Sequence, residues 1–124
     1  MSNPKTLSYT LTHEWMTAPV DGVCRVGLTD FAQSELGDIV FVDLPQTGDR
    51  VTAGVSFGDV ESVKAVSEMI SPVTGTVLSV NEAVSDAPEL INNDPYGTWL
   101  LEIGQIEGTE ALLDADAYEA ACKG

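Results

Sequence analysis

The run "ESVKA", Glu61 to Ala65, sets one lysine among small side chains in a chain that is sparing with cations. Lys64 is the only basic residue between Arg50 and Lys123, and eleven carboxylates lie between Lys64 and Lys123. Three roles suit such a lysine. The plainest is a solvated surface residue. A second is a Schiff-base or general-base lysine, which needs a pKa depressed by burial or by neighbouring positive charge. Glu61 and Glu68 stand nearby with no cation beside them, and carboxylates favour the ammonium, so intrinsic reactivity is disfavoured. The third role is an anchor, a lysine offered to an enzyme that activates the incoming acyl group itself. An anchor needs exposure, small neighbours such as Val63 and Ala65, and a fixed platform that the turn-forming "SPVTG" after it could brace.

Composition narrows the partners. The chain has 124 residues, five basic and twenty acidic, for a net charge of −15. That field repels nucleic acid and anionic membranes, because phosphate binding requires clustered Lys and Arg. It favours partners with basic docking surfaces, in encounters that weaken with salt. Hydrophobic residues make up 44%, enough for a packed core and too many for disorder. Cys24 and Cys122 are the only cysteines, without CxxC spacing, and His13 is the only histidine. Zinc and disulfide scaffolds are therefore not indicated, and two reduced thiols are expected. No apolar run approaches a membrane span, and "MSNPKTLSYTLTHEW" lacks a signal or transit pattern, so a cytoplasmic location is expected.

Short apolar runs separated by Gly, Pro and Asp ("GVCRVGL", "DIVFVDLP", "TGTVLSV", "TWLLEIG") indicate strands of a mainly β fold. "TDFAQSELGD" reads as a short helix capped by Thr29 and ended by Gly37, with Phe31 and Leu36 on its apolar side. "GTEALLDADAYEAACKG" reads as one or two terminal helical turns, with Thr109 and Asp114 as candidate caps. No linker is visible, so residues 1–124 are expected to form one domain. Around Lys64 the pattern is ambiguous. Val60, Val63, Val66 or Ser67, and Met69 or Ile70 recur near helical spacing behind a possible cap at Asp59, yet Val60, Val63, Val66 and Ile70 are β-branched, which favours strands. No Gly, Pro or Asn marks a hairpin tip beside Lys64.

"ESVKA" followed by "SPVTGTV" resembles the lipoylation motif of the glycine cleavage system H protein family, and Gly75, eleven residues after Lys64, fits the spacing of lipoyl-bearing hairpins. Further similar stretches are "HEW" from His13, "VGLTDFAQSELGDIVFVDLP" from Val26 to Pro45, "VNEA" ending at Ala83, "NNDPYGTWL" from Asn92 to Leu100, and "DAYEA" near the end. The "PYGTW" loop is one residue shorter than is usual in that family.

The resemblance implies a flattened β-barrel, or barrel-sandwich hybrid, with Lys64 at a hairpin tip and a small C-terminal helix. It implies lipoic acid in amide linkage to Lys64, on a tip held at a modest conformational cost. It further implies that the arm carries the aminomethyl group of glycine, and that the chain itself is a non-catalytic carrier. The implied partners are a pyridoxal-phosphate-dependent glycine decarboxylase (P protein), a tetrahydrofolate-dependent aminomethyltransferase (T protein) and dihydrolipoyl dehydrogenase (L protein). A lipoate ligase or lipoyl/octanoyl transferase would attach the arm, and a monomer is expected. A cleft that shelters the loaded arm needs apolar walls and an acceptor for the ammonium. Glu14 matches the position of that acceptor, and Thr12 and Glu68 match neighbouring cleft positions. His13 is read as structural, Trp15 and Trp99 as packing, and Asp114 and Asp116 as capping and solvation rather than a calcium loop. Rival readings are a biotin carrier, which usually flanks its lysine with methionine, a lipoyl relay within the same family, and a hydrolase using paired carboxylates.

Overall fold

The computed structural model describes residues 3–123. Among these, chain order runs β1 (Leu7–Tyr9), β2 (Glu14–Thr17), β3 (Cys24–Leu28), α1 (Asp30–Leu36), β4 (Ile39–Val42), β5 (Arg50–Val51) and β6 (Ser56–Ser62). It continues with β7 (Val66–Ile70), β8 (Val73–Val80), α2 (Glu82–Asp86), α3 (Leu90–Asn93), β9 (Leu101–Thr109) and α4 (Ala115–Lys123). Two antiparallel sheets result, neither closed on itself. One has six strands in the order β1-β2-β3-β9-β8-β5, and the other three in the order β4-β6-β7. Together with the short helices they form the barrel-sandwich architecture expected of a lipoyl-type domain.

The main core lies between the sheets. Val26, Val77 and Ile103 from the larger sheet and Val42, Val60 and Met69 from the smaller belong to one buried cluster. Strand alternation explains this, since every second side chain faces inward. A second cluster packs α4 onto the outer end of the larger sheet, with Tyr118 stacked on Tyr9 at 4.7 Å between ring centroids.

Helix α1 forms where expected. Thr29 accepts a hydrogen bond from Ala32 N, and Gly37 leaves the helix at φ +79°, a left-handed value that glycine adopts without strain. The segment from Ser56 to Ile70 is a hairpin, not a helix, with Glu61 opposite Val66 and Asp59 opposite Glu68. Cross-strand pairing here overrides the helical spacing of its valines. Two other expectations need correction. Thr109 is the last residue of β9 and not a helix cap, because the strand continues alongside β8 as far as Val73. The helices α2 and α3 leave no mark in the sequence pattern; each is five residues or fewer, too short to show periodicity.

Gly75 has a structural reason to lack a side chain. It sits opposite Val51 at an irregular stretch of the β8–β9 ladder, beside Gln105 at φ +50°. A Cβ there would lie 2.6 Å from both the Gly104 carbonyl oxygen and Ile103 Cγ2. Gly75→Ala is therefore expected to destabilise the fold by about 1–3 kcal/mol, seen as a thermal midpoint several degrees lower in circular dichroism. An unchanged midpoint would show that β9 yields without cost.

Candidate functional site

Lys64 stands at the tip between β6 and β7, and Val63, Lys64 and Ala65 are all exposed. The tip has its own turn chemistry. Ser62 N donates to the Ala65 carbonyl at 2.8 Å, while the Ser62 hydroxyl accepts from Lys64 N at 3.3 Å and Ala65 N at 3.1 Å. Serine hydroxyls close turns in this way, so Ser62 is the turn signal that a search for Gly, Pro or Asn overlooks. None of these residues has a positive φ, and the conformational cost expected at the tip is not visible as left-handed backbone. Val63 N also donates to the Asp38 carbonyl at 3.0 Å, tying the tip to the α1–β4 connection. The lysine stem lies along the end of α1, where a Cβ on Gly37 would be 3.7 Å from Lys64 Cε.

Glu14 is not a surface carboxylate: it is 1% exposed. Its Oε1 accepts from the Thr10 hydroxyl at 2.7 Å and the Thr12 hydroxyl at 2.5 Å, and its Oε2 accepts from Ile70 N at 3.1 Å. A carboxylate offers about four acceptor positions, so three donors leave room for one more. Burial pushes its pKa above the usual carboxylate value, against the hydrogen bonds from Thr12, Thr10 and Ile70, which pull it down. An arriving cation would reverse the first effect.

Glu14 borders a cleft of about 330 Å³ between α1 and the smaller sheet. Leu28, Phe31, Leu36 and Val60 supply apolar wall, while Thr12 and Glu68 stand at its exposed margin. That volume is at the lower end of the roughly 300–1,000 Å³ typical of small-molecule sites. The structure thus brings Thr12, Glu14 and Glu68 to one cleft. Lys64 lies outside it, one residue beyond Leu36 by way of Gly37.

His13 also lines the cleft, with its ring 4.5 Å from Phe31 between centroids. Its Nδ1 lies 2.7 Å from the Tyr118 hydroxyl, which also meets Thr29 Oγ1 at 2.7 Å. Its backbone is left-handed, φ +75°, a geometry this contact network must hold. Trp15 is 3% exposed and donates from Nε1 to the Pro95 carbonyl at 3.1 Å. The Arg25 guanidinium lies 4.8 Å above the half-buried Trp99 ring. Asp114 caps α4 by accepting from Ala117 N at 2.8 Å, and Asp116 is exposed in its first turn. Cys24 and Cys122 are free thiols, and burial pushes Cys24 up to about 11. No group of three or more His, Cys, Asp or Glu among the described residues could hold a metal ion. No helix among them is long and apolar enough to cross a membrane.

Fold and site together define a two-sheet domain that displays one lysine on a braced hairpin, beside a cleft bordered by a buried carboxylate. The family model for the glycine cleavage H-protein matches residues 7–124. A glycine cleavage system H protein of Listeria welshimeri is 55% identical over 122 residues, covering 96% of this chain and 97% of that one. One of Burkholderia cenocepacia is 55% identical over 121 residues, covering 95% and 96%. The crystal structure of a glycine cleavage system H protein from Mycobacterium marinum superposes with a TM-score of 0.91 at 44% identity, covering 95% of this chain and 97% of that one. The chain belongs to the glycine cleavage H-protein family.

His13 carries a pH prediction. Burial lowers its pKa, and Glu35 opposes that by raising it. The folded protein then binds a proton less readily than the unfolded chain, whose histidine titrates near about 6.5. The contribution is present above that pH and lost as pH falls through the lowered folded value. His13→Asn, which tolerates the left-handed backbone, is expected to lose less stability than wild type between pH 7 and pH 5. Parallel pH profiles of thermal midpoint would sink the assignment.

Proposed function

We propose that the chain is the lipoyl-bearing carrier of the glycine cleavage system, with lipoate joined through an amide to Lys64. One observation carries this reading: the exposed Lys64 stem lies beside Gly37, which adjoins Leu36 in the wall of a cleft bordered by a carboxylate with acceptor capacity to spare. Lys64 would hold the lipoyl group by its amide, and the group would supply a redox-active disulfide/dithiol able to carry an aminomethyl group between the P protein and the tetrahydrofolate-dependent T protein, with the L protein restoring the disulfide.

The residues present fit such a group. Lys64 is exposed, and among the described residues no carboxylate lies within ion-pair distance of its ammonium, so an acylating enzyme meets no competitor. The apolar cleft wall suits a hydrocarbon arm and excludes water from it. Glu14 offers a charged acceptor for an ammonium, in a place where desolvation strengthens the pairing. Thr10 and Thr12 fix the carboxylate, so little ordering is needed when a cation arrives. Glu68 and Thr12 border the entrance. The chain supplies anchoring, shelter and orientation, and the bond-breaking belongs to its partners. It acts as one unit over residues 1–124 and as a monomer, which leaves the tip open to several enzymes in turn. A cytoplasmic setting agrees with its two free thiols.

A biotin reading is not favoured, since Val63 and Ala65 flank the lysine in place of methionine. Relay of lipoate to other enzymes would use the same lysine and is a second use of the same anchor, not a rival site.

Protein expressed with lipoate available should show a lipoyl mass increment on the peptide containing Lys64. Lys64→Arg should fold normally, gain no increment and support no glycine cleavage; residual lipoylation would move the anchor elsewhere. Glu14→Gln keeps the shape and lets Thr10, Thr12 and Ile70 retain partners, so its lipoylation should match wild type. Its loaded arm should release the aminomethyl group roughly tenfold faster, the scale of one charge-assisted hydrogen bond. In wild type the same protection should weaken as falling pH protonates Glu14 and leaves the ammonium without its charged acceptor. An unchanged release rate in Glu14→Gln would remove Glu14 from the arm site.

A further inference from the structure

The outward face of the smaller sheet carries an apolar patch beside Lys64 that the anchor-and-cleft account does not use. In β4 the register shifts between Ile39, opposite Ser62, and Phe41, opposite Glu61. This bulge turns two successive apolar side chains outward, Val40 at 53% and Phe41 at 50% exposure, where regular alternation would bury one of them. Phe41, Glu61 and Val66 are consecutive partners across the three strands. They share the outer face, since the neighbouring Val42 and Val60 are buried in the core. Val66 is 64% exposed, and Val63 on the tip is 71% exposed. Apolar side chains so exposed and so close together mark an interaction surface more than scattered valines would.

The surroundings of the patch are acidic. Asp38 and Asp43 bracket β4, and Asp59 and Glu68 face each other directly across β6 and β7. Lys64 is the only basic residue in β4, β6, β7 and the tip. A second copy of the chain would bring the same charges together and be repelled. The complement is a protein surface with an apolar pocket rimmed by Lys and Arg.

Reach selects among partners. An unmodified lysine extends only about 6 Å beyond its Cα at ordinary bond lengths. The enzyme that acylates it must therefore press its active site against the residues adjoining Lys64. Later partners meet a longer arm and can dock farther away. We propose that the Val40–Phe41 bulge, with Val63 and Val66, is the docking surface for the enzyme that acylates Lys64, received in a basic-rimmed apolar pocket; this rests on the carrier reading above. In the step it serves, the lysine ammonium gives up a proton and its nitrogen attacks the carbonyl of an acyl-adenylate. The carbon–nitrogen bond forms as the carbon–oxygen bond to phosphate breaks, AMP leaves, and a second proton passes to solvent.

The test uses the purified unmodified protein, an ATP-dependent lipoate ligase, lipoate and ATP, with acylation followed by intact mass. Phe41→Ser and Val40→Ser, each at a half-exposed position, should lower kcat/KM at least tenfold, mainly through KM, with wild-type thermal midpoints. Wild-type kcat/KM should itself fall as salt rises. Val20→Ser, at a 70% exposed position in the β2–β3 turn, should behave as wild type. If one serine variant loses its fold, the other decides. Wild-type kcat/KM in a folded variant overturns the docking surface and leaves the carrier reading standing, whereas a wild-type protein never acylated on Lys64 overturns both.

Discussion

A carboxylate withdrawn from water must be met by donors, and Glu14 draws its donors from both sheets. Thr10 and Thr12 belong to the turn between β1 and β2 of the larger sheet, and Ile70 N belongs to β7 of the smaller. This polar bridge fixes how the hairpin base sits against the larger sheet, and hence where the hairpin runs past α1. The cleft is the space left between those elements. Burial raises the Glu14 pKa, so the ionised group is held at some energetic cost. A cation supplied from the cleft would offset that cost, whereas an apolar residue at the same place would not need one.

The hairpin combines a stiff base with an open tip. Ser62 satisfies the tip amides, the Asp38 carbonyl ties down Val63, and Met69 is wholly buried at the base. Freedom is thus confined to the lysine and whatever it bears. A rigid mount keeps the position of Lys64 defined and limits the ordering entropy of an encounter at the tip to that side chain.

The acidity fits encounters with other molecules better than it fits stability. Asp59 and Glu68 are direct cross-strand partners, an arrangement that like charges make unfavourable. Paired charges do occur, as between Arg25 and Glu102 at 2.9 Å and between Arg50 and Glu107, but exposed pairs of this kind contribute little. The surplus of carboxylates therefore acts on encounters with other molecules, through long-range steering. The "PYGTW" loop is held by its own contacts: Asp94 accepts from Gly97 N at 3.1 Å, Thr98 Oγ1 donates to the Leu90 carbonyl at 3.2 Å, and Trp15 closes on Pro95.

Local chemistry made much of this protein legible in its sequence. Thr29 and Gly37 announce α1, alternating Val and Ile announce the strands, and Lys64 stands out among small side chains, because each signal depends on neighbours a few residues away. The similarity of the "ESVKA" and "SPVTG" stretches to a known family carried the hairpin, which residue pattern alone left open between helix and strand. Tertiary structure alone decided the rest. Glu14 looks like any of twenty carboxylates until folding brings Ile70, fifty-six positions away, against it. His13 and Tyr118, 105 positions apart, meet only once α4 packs on the larger sheet. The bulge that exposes Val40 and Phe41 depends on which residues of β6 they face, and Gly75 is required by the backbone of β9. Burial, register and long-range hydrogen bonds are properties of pairs far apart in the chain, and composition and spacing hold no record of which pairs will meet.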